Sequence, residues 1–174
     1  MATSEASDAM TEGGPPSNNE LVQMLESLGG AGSGGEFGAF LKSLGADGEG
    51  LLRDCDLGHD LLIRALENRL AGVGEPQHTI VFKTSHSDKW WTKDRRYWMA
   101  APSPLKLADD DEETATRSLC ARQQRLRDKL VADLTQGGRI FVFRHALRNL
   151  NEAEVERLHA AITSFGPSTL LYVR

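Results

Sequence analysis

Few features of this sequence point to a secreted, membrane-bound or nucleic-acid-binding protein. It contains two cysteines, too few for a disulfide framework, and this indicates a reducing compartment. No apolar run approaches the roughly 20 residues of a membrane helix, and the N-terminus lacks the basic start and apolar core of a signal peptide. A net charge of -5 disfavours binding to polyanions. We therefore expect a cytoplasmic protein with neither a membrane nor a nucleic acid as its partner.

A complete catalytic or metal-binding motif is also missing. Cys55 and Cys120 have no CxxC spacing, and the carboxylates of Asp54 and Asp56 are expected to raise the pKa of the Cys55 thiol. The acidic run at 109–113 lacks the glycine turn of a calcium loop, and it suits the positive end of a helix dipole. The sequence thus predicts no metal and no cofactor.

Composition divides the 174 residues into a tail and one domain. Residues 1–19 are small, polar and acidic. Because such a segment cannot bury enough apolar surface to offset the entropy of ordering, we predict a disordered tail. Residues 20–174 suit a single domain with a sizeable core.

The clearest architecture lies at the end of the chain. Residues 140–143 and 169–173 are continuous apolar runs, which predicts strands buried on both faces. Between them, apolar residues at three- and four-residue steps predict an amphipathic helix, which Asn151 and Glu154 can start as a capping box. Two parallel strands joined by a helix form a right-handed crossover. The predicted fold class is α/β, a mostly parallel sheet flanked by helices in a Rossmann-like three-layer arrangement.

Other elements follow from periodicity and turn residues. The apolar run at 21–28 fits either a short helix or a first buried strand. The glycine-rich stretch at 29–35 fits a flexible connection better than a phosphate-binding loop, because it lacks the motifs of such loops. The prolines at 102–108 predict a loop. Apolar stripes predict a helix at 36–44, with Phe37, Phe40, Leu41 and Leu44 on its buried face, and another at 58–71, with Asp56 as its cap. A long helix is predicted from the acidic run at 109–113 to about Gln136, with a buried stripe of Leu119, Leu126, Leu130 and Leu134.

The segment from Lys89 to Met99 has the most unusual composition, with three tryptophans, one tyrosine and four basic residues. Aromatic rings interleaved with basic residues can stack on bases or sugar rings and pair with phosphates. The favoured interpretation is an antiparallel hairpin with residues 79–83. In that hairpin the aromatic side chains point inward, and Lys93 or Arg95 points outward and pairs with the acidic run.

The ends of the predicted parallel strands are the expected place for a ligand. Arg144, His145 and Arg148 follow one strand and Arg174 follows the other, with the glycine-rich stretch as a third wall. His145 is the histidine to test first, because it comes directly after a buried strand.

Several short motifs occur in an order typical of one family. Ser27-Leu28-Gly29 and Glu36-Phe37-Gly38 are similar to the two ends of a Ser-Leu-Gly-Asp-Asn-Cys-Glu-Phe-Gly box. The further motifs are Gly45-Ala46, Gly50-Leu51-Leu52-Arg53, Ile63-Arg64-Ala65-Leu66, Asp94-Arg95-Arg96-Tyr97, the 140–143 strand, and Leu158-His159-Ala160-Ala161 followed by residues 166–171. Over most of residues 25–174 the chain thus resembles a family of uncharacterised bacterial proteins that are often attached to glycosyltransferase or repeat modules.

The resemblance implies lost chemistry. Related families with a similar box are described, by analogy, as papain-like cysteine peptidases. Here Gly35 takes the place of the cysteine, six residues separate Gly29 from Glu36 where the box has three, and residues 99–102 contain no histidine where the family carries Tyr-His-Thr. The resemblance therefore implies a degenerate, non-catalytic member, and a shortened one, since family members continue past Val173.

Two functions are consistent with these features. The first, which we favour, is a non-catalytic domain that binds a small molecule such as a nucleotide-sugar, a glycan or a protein partner. Its ligand-binding candidates are Trp90, Trp91, Arg95, Arg96, Arg144 and Arg174. The second is a hydrolase or transferase in which His145 acts as base and Ser33 or Cys120 as nucleophile.

Overall fold

The computed structural model describes residues 16–30, 36–46, 48–145 and 147–174. Its α-helices are α1 (Asn18–Met24), α2 (Glu36–Ser43), α3 (His59–Glu67), α4 (Glu112–Gln136) and α5 (Glu152–Thr163). Its strands are β1 (Leu25–Ser27), β2 (Thr79–Phe82), β3 (Lys89–Asp94), β4 (Ala100–Lys106), β5 (Ile140–Arg144) and β6 (Thr169–Val173). The predicted α/β fold is confirmed.

The strands of the described residues form two sheets of three strands each. The first is parallel, with the order β1-β5-β6, and the second is antiparallel, with the order β2-β3-β4. The parallel sheet is flanked by helices as predicted. The antiparallel element predicted near 79–98 is present, and β4 extends it into a separate sheet.

The β-α-β unit at the end of the chain is confirmed. Strand β5 is central, with Phe141, Val142 and Phe143 buried. Asn151 and Glu154 form the predicted capping box: the Asn151 side chain accepts the Glu154 N–H at 3.0 Å, and the Glu154 carboxylate accepts the Asn151 N–H at 2.9 Å. Two backbone N–H groups that α5 cannot satisfy internally are thus paired, which fixes where the helix begins.

Strand β6 differs from the prediction, because it lies at the edge of its sheet. The expectation that residues 169–173 are covered on both faces is wrong: Leu171 is 47% exposed and Val173 is also exposed, while Leu170 and Tyr172 pack against the core. A continuous apolar run fits a central strand and a one-sided edge strand equally well. Position in the sheet, which sequence does not encode locally, decides between them.

The ambiguous run at 21–28 contains both candidate elements. Helix α1 starts with a capping box of Ser17 and Glu20, and the chain extends directly after Met24 into β1. Strand β1 pairs in parallel with β5. Residues 1–15 of the predicted tail and residues 31–35 of the glycine-rich stretch lie outside the described residues.

Two predicted helices need correction. In α2, Leu41 is buried, but Phe40 is 53% exposed, and Leu44, which follows the end of the helix, is also exposed, so the predicted apolar face is only partly buried. Helix α3 begins after Gly58, and no side chain caps it. The backbone N–H of Asp56, the expected cap, instead donates to the carbonyl oxygen of Ala100 at 3.1 Å.

The predicted loop at 102–108 is also wrong, because residues 100–106 form β4. Trp91 of β3 lies opposite Pro102, and Pro104 follows on the same strand. Proline has no N–H to donate, so it is tolerated in a sheet only where that side of the strand is unpaired. Strand β4 is an edge strand, which accommodates both prolines.

Helix α4 joins two hydrophobic cores. Its C-terminal half contributes Leu130 and Leu134 to the core under the parallel sheet. Its N-terminal half contributes Ala115 and Leu119 to a smaller core that contains Trp90 of the antiparallel sheet. Within the described ranges, no helix combines the length and apolarity that crossing a membrane requires.

Candidate functional site

The ends of the parallel strands hold a cluster of charged and imidazole side chains. Arg144 ends β5, His145 follows it, and exposed Arg174 follows β6. Arg148 lies next to His59, the first residue of α3. The predicted position of a ligand site is therefore occupied by polar groups.

Arg148, Glu154 and His59 form a closed network in this cluster. The Arg148 guanidinium donates two hydrogen bonds to the Glu154 carboxylate, at 2.8 and 2.6 Å, and its Nη2 lies 2.9 Å from His59 Nε2. His59 Nε2 is also 3.1 Å from Glu154 Oε1. Hydrogen bonding to Arg148 lowers the pKa of Glu154 to about 2. These groups satisfy one another and join the N-termini of two helices.

His145 is a hydrogen-bond acceptor in this arrangement. Its Nδ1 accepts the backbone N–H of Arg148 at 3.3 Å, and its ring lies 5.4 Å from that of His59, centroid to centroid. Partial burial lowers the pKa of His145, and the charges of His59 and Arg148 add to this effect. A neutral imidazole has one protonated nitrogen. Because Nδ1 accepts this hydrogen bond, the proton of the neutral ring is on Nε2. Nε2 therefore has no free lone pair with which His145 could act as a general base.

Of the two predicted nucleophiles, the structure describes only Cys120. Ser33 lies outside the described residues. Cys120 is buried in α4, beside a groove lined by Pro76 and α4 residues, none of which is a histidine. Cys55 is buried as well, and desolvation, followed by the charge of Asp56, raises its pKa to about 12. This confirms the expected inertness of Cys55, with burial as the larger cause.

A second candidate site is a cavity of about 670 Å³ beside the antiparallel sheet. It lies between α2, the loop 48–56, and strands β3 and β4. The bridge between Asp56 and Ala100 fixes the loop against the edge of β4. The side chains that matter for its chemistry are Lys42, Arg53, Asp54, Lys89, Trp91 and Arg122.

The alternation of β3 separates the two adjacent tryptophans. Trp90 faces α4 and is fully buried with Ala115 and Leu119, so it lies outside any open surface. Trp91 points to the other face, is only partly buried, and lines the cavity. Its ring lies 6.4 Å from that of Phe82 on β2. Of the two predicted stacking residues, Trp91 alone is positioned to meet a ligand.

The predicted basic residues are spread over both sheets. Arg95 is exposed at the turn after β3. The Arg96 guanidinium donates to the carbonyl oxygen of Ala71 at 3.0 Å and lies over the Tyr97 ring. Arg144 and Arg174 belong to the parallel sheet, at the ends of β5 and β6. The six ligand-binding candidates therefore do not form one surface.

Charges of both signs surround the cavity. At its rim Lys42 Nζ lies 3.3 Å from Asp54 Oδ2. Below the rim, Arg53 Nη2 lies 3.2 Å from Glu26 Oε2, and both of these side chains are buried. Arg53 Nη1 also donates to the Gly48 carbonyl oxygen at 2.5 Å. The buried pair holds the loop against β1, and this gives the cavity a fixed wall.

The loop 48–56 and the residues on α2 and α4 that line the cavity were missed by sequence reasoning. Arg53 and Lys42 are distant in sequence from β4, and they reach the same cavity because Asp56 pairs with Ala100 of β4. A usable signal did exist in β3, where strict alternation in Lys89–Asp94 puts Trp91 on the face opposite Trp90.

No family model matches this chain, and searches of curated proteins and of solved structures likewise return no match. Within the described residues, no group of three or more His, Cys, Asp or Glu side chains is placed to hold a metal ion. The family resemblance stays a prediction, and the function must be argued from the geometry of the two sites.

Proposed function

We propose that this protein is a non-catalytic binding domain that takes a saccharide, such as part of a glycan or a nucleotide-sugar, in the cavity beside Trp91. The observation that carries the proposal is the cavity itself. A volume of about 670 Å³ with an aromatic side chain in its lining and charged groups around it has the size and character of a small-molecule site.

The lining favours a sugar over an apolar ligand. A sugar ring presents C–H groups that stack on an aromatic face and hydroxyls that both donate and accept hydrogen bonds. Trp91 supplies the aromatic face, Lys89 and Arg122 supply donors, and Asp54 supplies acceptors. Because both signs of charge are present, the lining can satisfy the donors and the acceptors of a polyhydroxylated ligand.

The enzymatic alternative has less support. A hydrolase or transferase with His145 as base needs a free lone pair on that ring and a nucleophile within hydrogen-bond reach. The Nδ1 lone pair of His145 is engaged by the Arg148 N–H. Cys120, one of the two proposed nucleophiles, is buried in α4.

Ligand-dependent thermal unfolding tests the proposal. We expect at least one member of a panel of neutral and uronic-acid oligosaccharides to raise the melting temperature of the wild type. At a concentration of about 100 Kd the stabilisation is about 2.7 kcal/mol, which for a chain of this size is a shift of about 5–10 °C. Trp91→Ala is expected to abolish the shift.

Phe40→Ala is the matched control, because Phe40 is an exposed aromatic side chain that does not line the cavity. It should leave the shift unchanged. The proposal fails if no saccharide stabilises the wild type, or if Trp91→Ala, shown by circular dichroism to be folded, responds as the wild type does.

A further inference from the structure

The outer face of the antiparallel sheet continues from the cavity as an aromatic surface. Residues opposite each other in antiparallel strands share a face. The register puts Phe82 opposite Trp91, and Trp91 opposite Pro102. It likewise places Lys93 between Ile80 and Ala100. All of these side chains are partly or fully exposed, while the other face of the sheet packs on α4.

Trp98 extends this surface beyond the end of β3. It is 58% exposed, and Lys93 Nζ lies 3.8 Å from the centroid of its ring. The turn that carries it is rigid: Asp94 Oδ1 accepts the N–H groups of Arg96 at 2.8 Å and Tyr97 at 2.7 Å, and Tyr97 is buried. Trp98 is therefore held in place on a fixed turn.

The backbone of Trp98 is strained. Its φ of +59° lies in the left-handed region, which glycine adopts freely and a bulky side chain adopts at a cost. Glycine at this position would form the same turn without the cost. Strained backbone conformations of this kind cluster at functional sites, where the side chain is needed despite the strain.

Three basic side chains along this face have no carboxylate partner among the described residues. Within the described part of the chain, Lys89, Lys93 and Arg95 have no carboxylate within 4.0 Å. The whole chain has a net charge of -5. Unpaired cations collected on one face of an acidic protein indicate an anionic ligand.

We propose that the cavity and this face form one elongated site, from Trp91 to Trp98, that binds an acidic glycan chain. The inference rests on the proposed saccharide function and extends it. Trp91 and Lys93 are separated by about 7 Å along the strand, and Trp98 lies beyond Lys93, so the site is longer than one sugar ring. Stacking on Trp91 and Trp98 holds the sugar rings, and Lys89 and Lys93 pair with carboxylates.

A glycan fits this face better than a single-stranded nucleic acid. In a nucleic acid the negative charge lies on phosphates that the ribose separates from the stacking bases. A uronic-acid polymer has its charges on rings that can themselves stack on tryptophan. Lys93 Nζ lies 3.8 Å from the centroid of the Trp98 ring, so a uronic-acid ring stacked on Trp98 presents its carboxylate to that cation.

Isothermal titration calorimetry with a galacturonic acid disaccharide and hexasaccharide tests the length of the site. For the wild type we expect the hexasaccharide to bind at least tenfold more tightly than the disaccharide, and more weakly as salt is added. Trp98→Gly should lower hexasaccharide affinity by about tenfold, as expected for the loss of one stacking contact. The same variant should leave disaccharide binding unchanged and, because the strain is relieved, should melt at a higher temperature.

The controls separate the two proposals. Lys93→Gln should weaken binding of the hexasaccharide but not that of an uncharged cello-oligosaccharide of equal length, and Trp91→Ala should remove binding of all three. Equal affinity for the disaccharide and the hexasaccharide, with no effect of Trp98→Gly, overturns the elongated site and leaves the cavity proposal standing. Loss of saccharide binding altogether overturns both. Tighter, Trp98-dependent binding of a single-stranded oligonucleotide overturns the glycan assignment.

Discussion

The buried ion pair between Glu26 and Arg53 should be the most sensitive electrostatic contact of the fold. Its nitrogen and oxygen lie 3.2 Å apart, and the two side chains are only 5% and 4% exposed. At an effective dielectric constant of 20, two unit charges at that distance attract by about 5 kcal/mol. Desolvation of both ions offsets most of this attraction in the intact protein.

Removing one partner leaves the desolvation cost without the attraction. Glu26→Gln keeps the volume of the side chain but leaves the Arg53 charge with the Gly48 carbonyl oxygen as its hydrogen-bond acceptor. We expect this variant to lose about 3–5 kcal/mol of unfolding free energy. Arg53→Met should cost a similar amount, and the double variant should cost less than the sum of the two single variants by about 2–3 kcal/mol.

Urea unfolding at 25 °C of the four proteins measures this coupling energy, provided that all four unfold in one transition. The pair Lys42 and Asp54 is the matched control. It has almost the same separation, 3.3 Å, but its side chains are 57% and 41% exposed. The cycle of Lys42→Met and Asp54→Asn should give a coupling below about 1 kcal/mol. If the two cycles give equal coupling energies, burial is not what makes the Glu26 contact strong.

Two further predictions concern the backbone and the titration of the fold. Gly29→Ala should lower the unfolding free energy by several kcal/mol, because φ is +72° and the new Cβ would lie 2.7 Å from a backbone carbonyl oxygen. Gly45→Ala is the control: its φ is +82° but the new Cβ would lie in open space, so it should cost only about 1 kcal/mol. Equal losses of unfolding free energy in chemical unfolding would contradict this. Because the pKa of His145 is lowered in the folded protein, the unfolded chain protonates this ring more readily, and the unfolding free energy should fall as pH drops below 6.5. The lowered pKa of Glu154 should cause a second loss of unfolding free energy between pH 4.5 and about 2. NMR titration of the His145 ring checks the first part, since a midpoint at or above 6.5 excludes the stated cause.

Local patterns were enough to predict the elements that are decided locally. Asn151 and Glu154 identify the start of α5 because a capping box involves only residues within one helical turn. The leucine stripe of α4 identifies that helix because its period holds from Leu119 to Leu134. In both cases the relevant contacts are close in sequence, so their chemistry can be read directly.

Elements decided by distant contacts were missed. Pro102 and Pro104 predict a loop, yet they lie in β4, because pairing with β3 on one side leaves the other side of the strand free. Trp98 gives no sign in the sequence that it adopts a left-handed conformation, since turn positions of this kind are recognised from glycine or asparagine. Pro102 and Pro104 line the cavity and Trp98 lies on the surface beyond it, so neither the cavity nor that surface could be predicted as a site.

The aromatic segment on β3 shows why two interpretations of one sequence need not compete. A strand with one face on a core and one face in solvent must divide adjacent residues between the two. Trp90 fills space against α4, and a core needs such bulk. Trp91 and Trp98 fill no core, and a polar side chain at either position would leave the packing on α4 intact. Stability therefore explains the inner aromatic side chain and not the outer two, and for Trp98 the backbone strain makes stability an even poorer explanation. Their position on the outer face, beside Lys89 and Lys93, which have no carboxylate within 4.0 Å among the described residues, is what a binding surface for an anionic, ring-containing ligand requires.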